Sequence, residues 1–143
     1  MSGDEPNNSQ SMFSNVHSFM GVPVSRDVEN ADLIVVGIPY DLGTTGRAGT
    51  RHGPQAVRLA SANLRWEMRE KRHPWGYSAF ERLKVVDFGD LEFPPGESED
   101  MVKRVIDNVE SIHASGKKTL CIGGDHFITL PLLRAVHKHR GAL

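Results

Sequence analysis

Apolar residues along this chain fall into short continuous runs that alternate with stretches of helical spacing. Leu33 to Tyr40 (LIVVGIPY) is a β-branched run of the kind expected of a parallel strand covered on both faces. Lys84 to Phe88 and Thr119 to Ile122 are two further strand candidates. The loop after the first run, DLGTTGRAGTRHGP, holds four glycines and ends in Gly53-Pro54, where proline suits a first helical turn. Ala56, Val57, Ala60 and Leu64 then follow at helical spacing. Pro94, Pro95 and Gly96 break the chain, and Ser98 is placed to cap a helix. The stripe Val102, Val105, Ile106, Val109 and Ile112 runs down that helix, with Gly116 at its C′ position. Thr129 is placed to cap a last helix, with Pro131 in its first turn and His137 to Arg140 favouring its C-terminal dipole.

The order strand, helix, strand, helix, strand, helix predicts an α/β chain: a parallel sheet of about three strands with helices on both faces. Residues 1–11 are polar and read as a disordered N-terminus. Residues 12–143 read as part of a single α/β domain. Met12 to Val24 carries scattered apolar residues without a clean period, which suits an arm docked on its own body or on a neighbouring subunit. Three strands make a narrow sheet, and the closing Gly-Ala-Leu resembles a turn into a fourth. The expectation is that the chain stops at an element boundary.

Charge narrows the function classes. With 17 basic and 18 acidic residues the net charge is −1, which leaves no electrostatic footprint for nucleic acid or an anionic membrane. The basic run Arg69 to Arg72, interrupted by Glu70, reads as a solvated helix end. One cysteine, Cys121, gives no disulfide framework and suits a reducing compartment. No signal peptide or long apolar span is evident, so a cytoplasmic protein is expected.

In open α/β sheets ligands sit outside the carboxyl ends of the strands. Three loops occupy that edge, which directs attention to Asp41, Asp87, Asp90, Asp125 and His126. In Gly123-Gly124-Asp125-His126 two glycines let the backbone turn off the strand and project an imidazole at the mouth. His126 is therefore the candidate metal ligand; equally, Asp125-His126 could simply cap the next helix. Asp87 and Asp90 suit a carboxylate pair less well than an Asx turn at a strand end. His137 and His139 are two apart on a helix and face different directions, which argues against a shared metal. His52 reads as a loop contact. Gly43 to Gly49 has the spacing GxxGxxG, unlike the dinucleotide fingerprint, and Gly116-Lys117-Lys118-Thr119 lacks the upstream glycine of a P-loop.

Gly37 to Arg58 (GIPYDLGTTGRAGTRHGPQAVR), Glu81 to Asp90 (ERLKVVDFGD) and Gly123 to Phe127 (GGDHF) closely resemble the ureohydrolase (arginase/agmatinase) family. Within it, the chain is similar to the amino-terminal half of the bacterial agmatinase branch, from about Phe13 onward. The resemblance implies an α/β/α manganese enzyme, usually a homo-oligomer, that hydrolyses the guanidinium of agmatine to putrescine and urea. It also implies that His126 is a metal ligand, with Asp125 supporting it or making the turn. The glycine-rich loop up to Pro54 would shape the site or touch a neighbouring subunit. The family's remaining ligands, for two Mn²⁺ ions, lie in motifs that this sequence does not carry. Two expectations follow: an incomplete agmatinase-type enzyme, inactive as 143 residues, or a non-catalytic homologue that at most associates with full-length subunits. A different α/β binding domain is the third alternative, and nucleotide binding would support it.

Overall fold

The computed structural model describes residues 17–62, 64, 74 and 76–141. The expected disordered N-terminus, the start of the arm, the basic run and Ala142-Leu143 lie outside the described residues. Three strands, β1 (Leu33–Ile38), β2 (Val85–Asp90) and β3 (Lys118–Gly123), form a parallel sheet in the order β2-β1-β3. The helices are α1 (Gly53–Ala62), the single turn α2 (Ala79–Arg82), α3 (Ser98–Ala114) and α4 (Thr129–Arg140). Among the described residues, no helix is long and apolar enough to cross a membrane.

β1 sits at the centre and is buried on both faces, as its unbroken apolar run dictates. Ile34, Val36 and Ile38 face α3 and α4, joining Met101, Val105, Val109, Ile112 and Ala135 in the main core. Val35 faces the other way, into a smaller cluster with Val22, Val85, Phe19, Leu33 and Phe80. The chain moves from β1 to one side for β2, then back across β1 for β3. Right-handed crossovers therefore place α1 and α3 on opposite faces. The expected two-faced architecture is present.

The arm docks on its own body. Val24 bridges to Asp87 in parallel, the Asp87 amide donates to the Pro23 carbonyl (2.9 Å), and Val22 is buried. Residues 17–24 thus pack on the body of their own chain.

Helix α1 forms where the helical spacing placed it, with the apolar residues of that spacing outward. Ala56, Val57, Ala60 and Leu64 are exposed, and the buried face is Pro54, Arg58 and Ser61, at i, i+4 and i+7. The inward face carries a guanidinium because Asp87 and Asp90 wait for it on β2. In a regular strand, residues three apart point to opposite faces. Here the register slips between Val35↔Asp87 and Val36↔Gly89, with Gly89 at φ 81°, so Asp90 returns to the face of Asp87. Arg58 Nε and Nη2 then donate to the two Asp87 oxygens (2.8 and 2.9 Å), and Nη1 donates to Asp90 Oδ1 (2.5 Å). Asp87 also accepts from the Phe19 amide (2.8 Å), which fixes the arm, and from the Gly89 amide (2.9 Å). The Asx turn expected at Asp87 is real, but both carboxylates belong first to Arg58.

Two caps also differ from expectation. Glu97 holds the N-cap position of α3, and Ser98, the first helical residue, exchanges a 2.6 Å hydrogen bond with the Tyr40 hydroxyl. Thr129 continues from a 3₁₀ turn, His126–Ile128, which Asp125 caps.

Burial alone would raise the pKa of Asp87. Arg58 and the Phe19 and Gly89 amides outweigh it and hold the carboxyl below its ordinary value. Its stabilising contribution is therefore fully present above about pH 3.9 and is lost as pH falls from there through the folded value. Arg58→Ala leaves a buried carboxylate unpaired and is expected to cost about 3–5 kcal/mol in urea unfolding. An R58A chain as stable as wild type at neutral pH would contradict this account of the pair.

Candidate functional site

Strand β1 leads to α1 on one face of the sheet, and β3 leads to α4 on the other. Their carboxyl ends therefore flank a crevice of the kind where α/β sheets bind ligands. Two buried carboxylates organise its rim. Asp41 closes the glycine-rich loop on itself: its Oδ2 accepts from the Gly49 amide (2.7 Å), and its Oδ1 accepts from Arg51 Nη1 (3.0 Å). The Gly49 amide, working against burial and joined by Arg51, holds the Asp41 carboxyl below its ordinary value. Gly49 sits at φ 130°, a conformation suited to glycine.

Asp125 joins that loop to the end of β3. Its Oδ2 accepts from the Gly43 amide (2.7 Å), its Oδ1 from the Phe127 amide (2.9 Å), and its own amide donates to the Tyr40 carbonyl (2.8 Å). The close approach requires Gly124, where a Cβ would strike the Tyr40 carbonyl oxygen and lie 2.7 Å from that of Ile38. Asp125 thus caps the turn that follows, one of the two roles open to it from the sequence, and also ties that turn to the glycine loop. His126 is exposed beside it, with no hydrogen bond to its ring among the described residues. Phe127 lays its ring against Tyr40 (5.9 Å between centroids), and Tyr40 meets Phe93 edge-on (6.0 Å). One aromatic residue thereby links the loops after all three strands.

The other sequence candidates are separated from this turn. Asp87 and Asp90 are held by Arg58. His52 ends an exposed 3₁₀ turn, and His137 and His139 lie in the last turn of α4, at the opposite end of that helix from the crevice. A cleft of about 510 Å³ opens between the loops after β1 and β2, lined by Tyr40, Asp41, Arg51, Asp90 and Phe93 among others. A larger hollow, about 730 Å³, lies along the arm and the first half of β2, away from these loops.

Manganese requires several nitrogen and oxygen donors in one place. Among the described residues, no three His, Cys, Asp or Glu side chains come together to hold a metal. Asp125 spends its oxygens on two amides, so the crevice offers the imidazole of His126 and little else. These residues fit as one corner of a metal site and do not form a site by themselves.

The sequence missed Arg58 and Tyr40. Arg58 had a signal, standing four residues after Pro54 and three before Ser61. The apolar residues of α1 lie on the opposite, exposed face.

A model of the arginase family matches residues 31–143, and the chain belongs to that family. It is 47% identical over 143 residues to an agmatinase from Proteus mirabilis and 46% identical to one from Edwardsiella ictaluri, covering 99% of this chain in each case. Those matches take in 45% and 46% of the relatives, so the chain spans less than half their length. Among solved structures, a hypothetical agmatinase from Burkholderia thailandensis superposes with a TM-score of 0.82 at 37% identity, covering 92% of this chain and 41% of that one. Proclavaminate amidino hydrolase from Streptomyces clavuligerus gives 0.80 at 29%, covering 94% and 43%. Formiminoglutamase from Trypanosoma cruzi, solved with Mn²⁺, gives 0.70 at 26%, covering 88% and 42%. The fold and family expected from the sequence are those observed, and the resemblance is to the amino-terminal half of an agmatinase.

Asp125→Ala removes the acceptor of two part-buried amides. The expected cost is about 1–3 kcal/mol of stability. Hydrogen exchange at Gly43 and Phe127 should accelerate, while exchange within β1 changes less. Unchanged exchange at Gly43 would show that the Asp125 bridge is not formed.

Proposed function

We propose that this chain supplies the amino-terminal part of an agmatinase-type ureohydrolase, a manganese-dependent enzyme that hydrolyses the guanidinium of agmatine to putrescine and urea. The observation that carries this reading is the exposed imidazole of His126, at the crevice between β1 and β3, in a chain 47% identical to an agmatinase. His126 would be one ligand of a two-manganese centre. A metal pair supplies a water of lowered pKa, which an electrophile as poor as a guanidinium carbon needs at neutral pH. The role of this chain is to hold one imidazole still. Asp125 fixes the turn from both sides, and Tyr40 fixes Phe127 beside it. The imidazole keeps its ring nitrogens available to a metal because the protein engages neither of them among the described residues. A cytoplasmic homo-oligomer feeding polyamine formation completes the reading.

A second reading is a homologue that performs no chemistry and associates with full-length subunits. It draws on the outer side of β3, which has no partner strand among the described residues, and on the exposure of Leu120 there and of Leu130 and Leu133 on α4.

Two measurements separate the readings. The 143-residue chain, given Mn²⁺ and agmatine, is expected to release no urea above background, since one imidazole cannot hold a metal pair. Joined to the complementary part of the Proteus mirabilis agmatinase, it should form a folded, manganese-dependent enzyme. His126→Ala in that chimera should lower manganese affinity by at least about 100-fold, because losing even an outer-shell partner costs 10–100-fold. A folded chimera without activity would support the second reading. Undiminished metal binding by the His126→Ala chimera would remove His126 from the site.

A further inference from the structure

At the end of the sheet opposite the crevice, α3, β3 and α4 meet around a second histidine. His113 lies in the last turn of α3 and, as a residue, is 9% exposed. Its Nε2 lies 3.0 Å from Thr119 Oγ1 on β3, and the His139 ring of α4 meets it edge-on, with centroids 6.2 Å apart. The surrounding charges do not favour a cation there. The last turn of α4 carries His137, Lys138, His139 and Arg140. On α3, Glu110 stands one turn back and is already engaged by Lys138 Nζ at 2.7 Å. In the turn between α3 and β3, Lys117 directs its ammonium to the Glu29 carbonyl oxygen at 2.7 Å, while β3 presents the hydroxyl of Thr119, which the Cys121 thiol also engages. Burial, followed by the charges of His139 and Arg140, holds the His113 pKa below that of an ordinary histidine.

We propose that His113 is a pH-sensitive latch on α4: the neutral ring closes the α3–β3–α4 junction against Thr119 and His139, and protonation releases the last turns of α4. The direction follows from linkage. The released form binds the extra proton, so docking is at full strength above about pH 6.5. It weakens as pH falls from there toward the folded value, and the loss then levels off. Because α4 continues directly from the turn that carries His126, the latch would couple acidity to the helix behind that turn.

The test is amide hydrogen exchange along α4 between pH 8 and pH 5, corrected for the intrinsic pH dependence, in wild type and His113→Gln. Glutamine can still hydrogen-bond Thr119 but does not titrate. The wild-type to H113Q ratio of protection should be constant above about pH 7 and fall by up to tenfold per pH unit below about 6.5. His139→Ala, which removes one of the opposing charges, should make the wild-type fall smaller. Should H113Q fail to fold, the His139→Ala comparison decides alone, and an unchanged fall would overturn the latch. So would a flat ratio, a His113 ring titrating by NMR at or above the ordinary histidine value, or α4 amides unprotected at pH 8.

Discussion

The arrangement of this chain depends on one buried guanidinium. Arg58 reaches from α1 to Asp87 and Asp90 on β2, and Asp87 in turn holds the Phe19 amide of the arm. A helix, a strand and the amino-terminal arm therefore share one polar knot on the less apolar face of the sheet. That face has a small cluster around Val35, whereas the opposite face has the large one around Val36 and Ile38. The knot supplies orientation where apolar burial is thin. Its cost is desolvation, offset only because every Asp87 oxygen is engaged. Among the described residues, no buried side-chain nitrogen or oxygen lacks a partner.

The same device recurs at the crevice with backbone donors. Asp41 gathers the glycine loop and Asp125 ties that loop to β3, each by accepting amides that loops otherwise leave unpaired. The glycines at 43 and 124 are needed for this closeness, since side chains there would meet Asp125 and Tyr40. The result is a stiff rim around an exposed His126.

Much of the fold was legible. Continuous β-branched runs, glycines after helices and the spacing of α3 located all three strands and the main helices, because these signals are local. The strand limits moved by a few residues at their ends. At the site, the glycine turn that leaves His126 exposed was legible, because two adjacent glycines mark it. Asp125 was legible only as one of two readings, and the structure gives it capping and bridging together. Arg58 was hidden because α1 shows an apolar stripe, Ala56, Val57, Ala60 and Leu64, that hydrophobic spacing alone would turn inward.

What the sequence determined by itself is the set of parallel strands, their helices and the turn that presents His126. These follow from side-chain periodicity and from the backbone freedom of glycine, which operate over a few residues. The tertiary structure alone decided which face of α1 is buried, where the arm lies and which carboxylates share Arg58. The sharing of Arg58 turns on the bulge in β2 that brings Asp87 and Asp90 to the same face. A register slip between paired strands is a property of the pair, and no single segment of the chain encodes it.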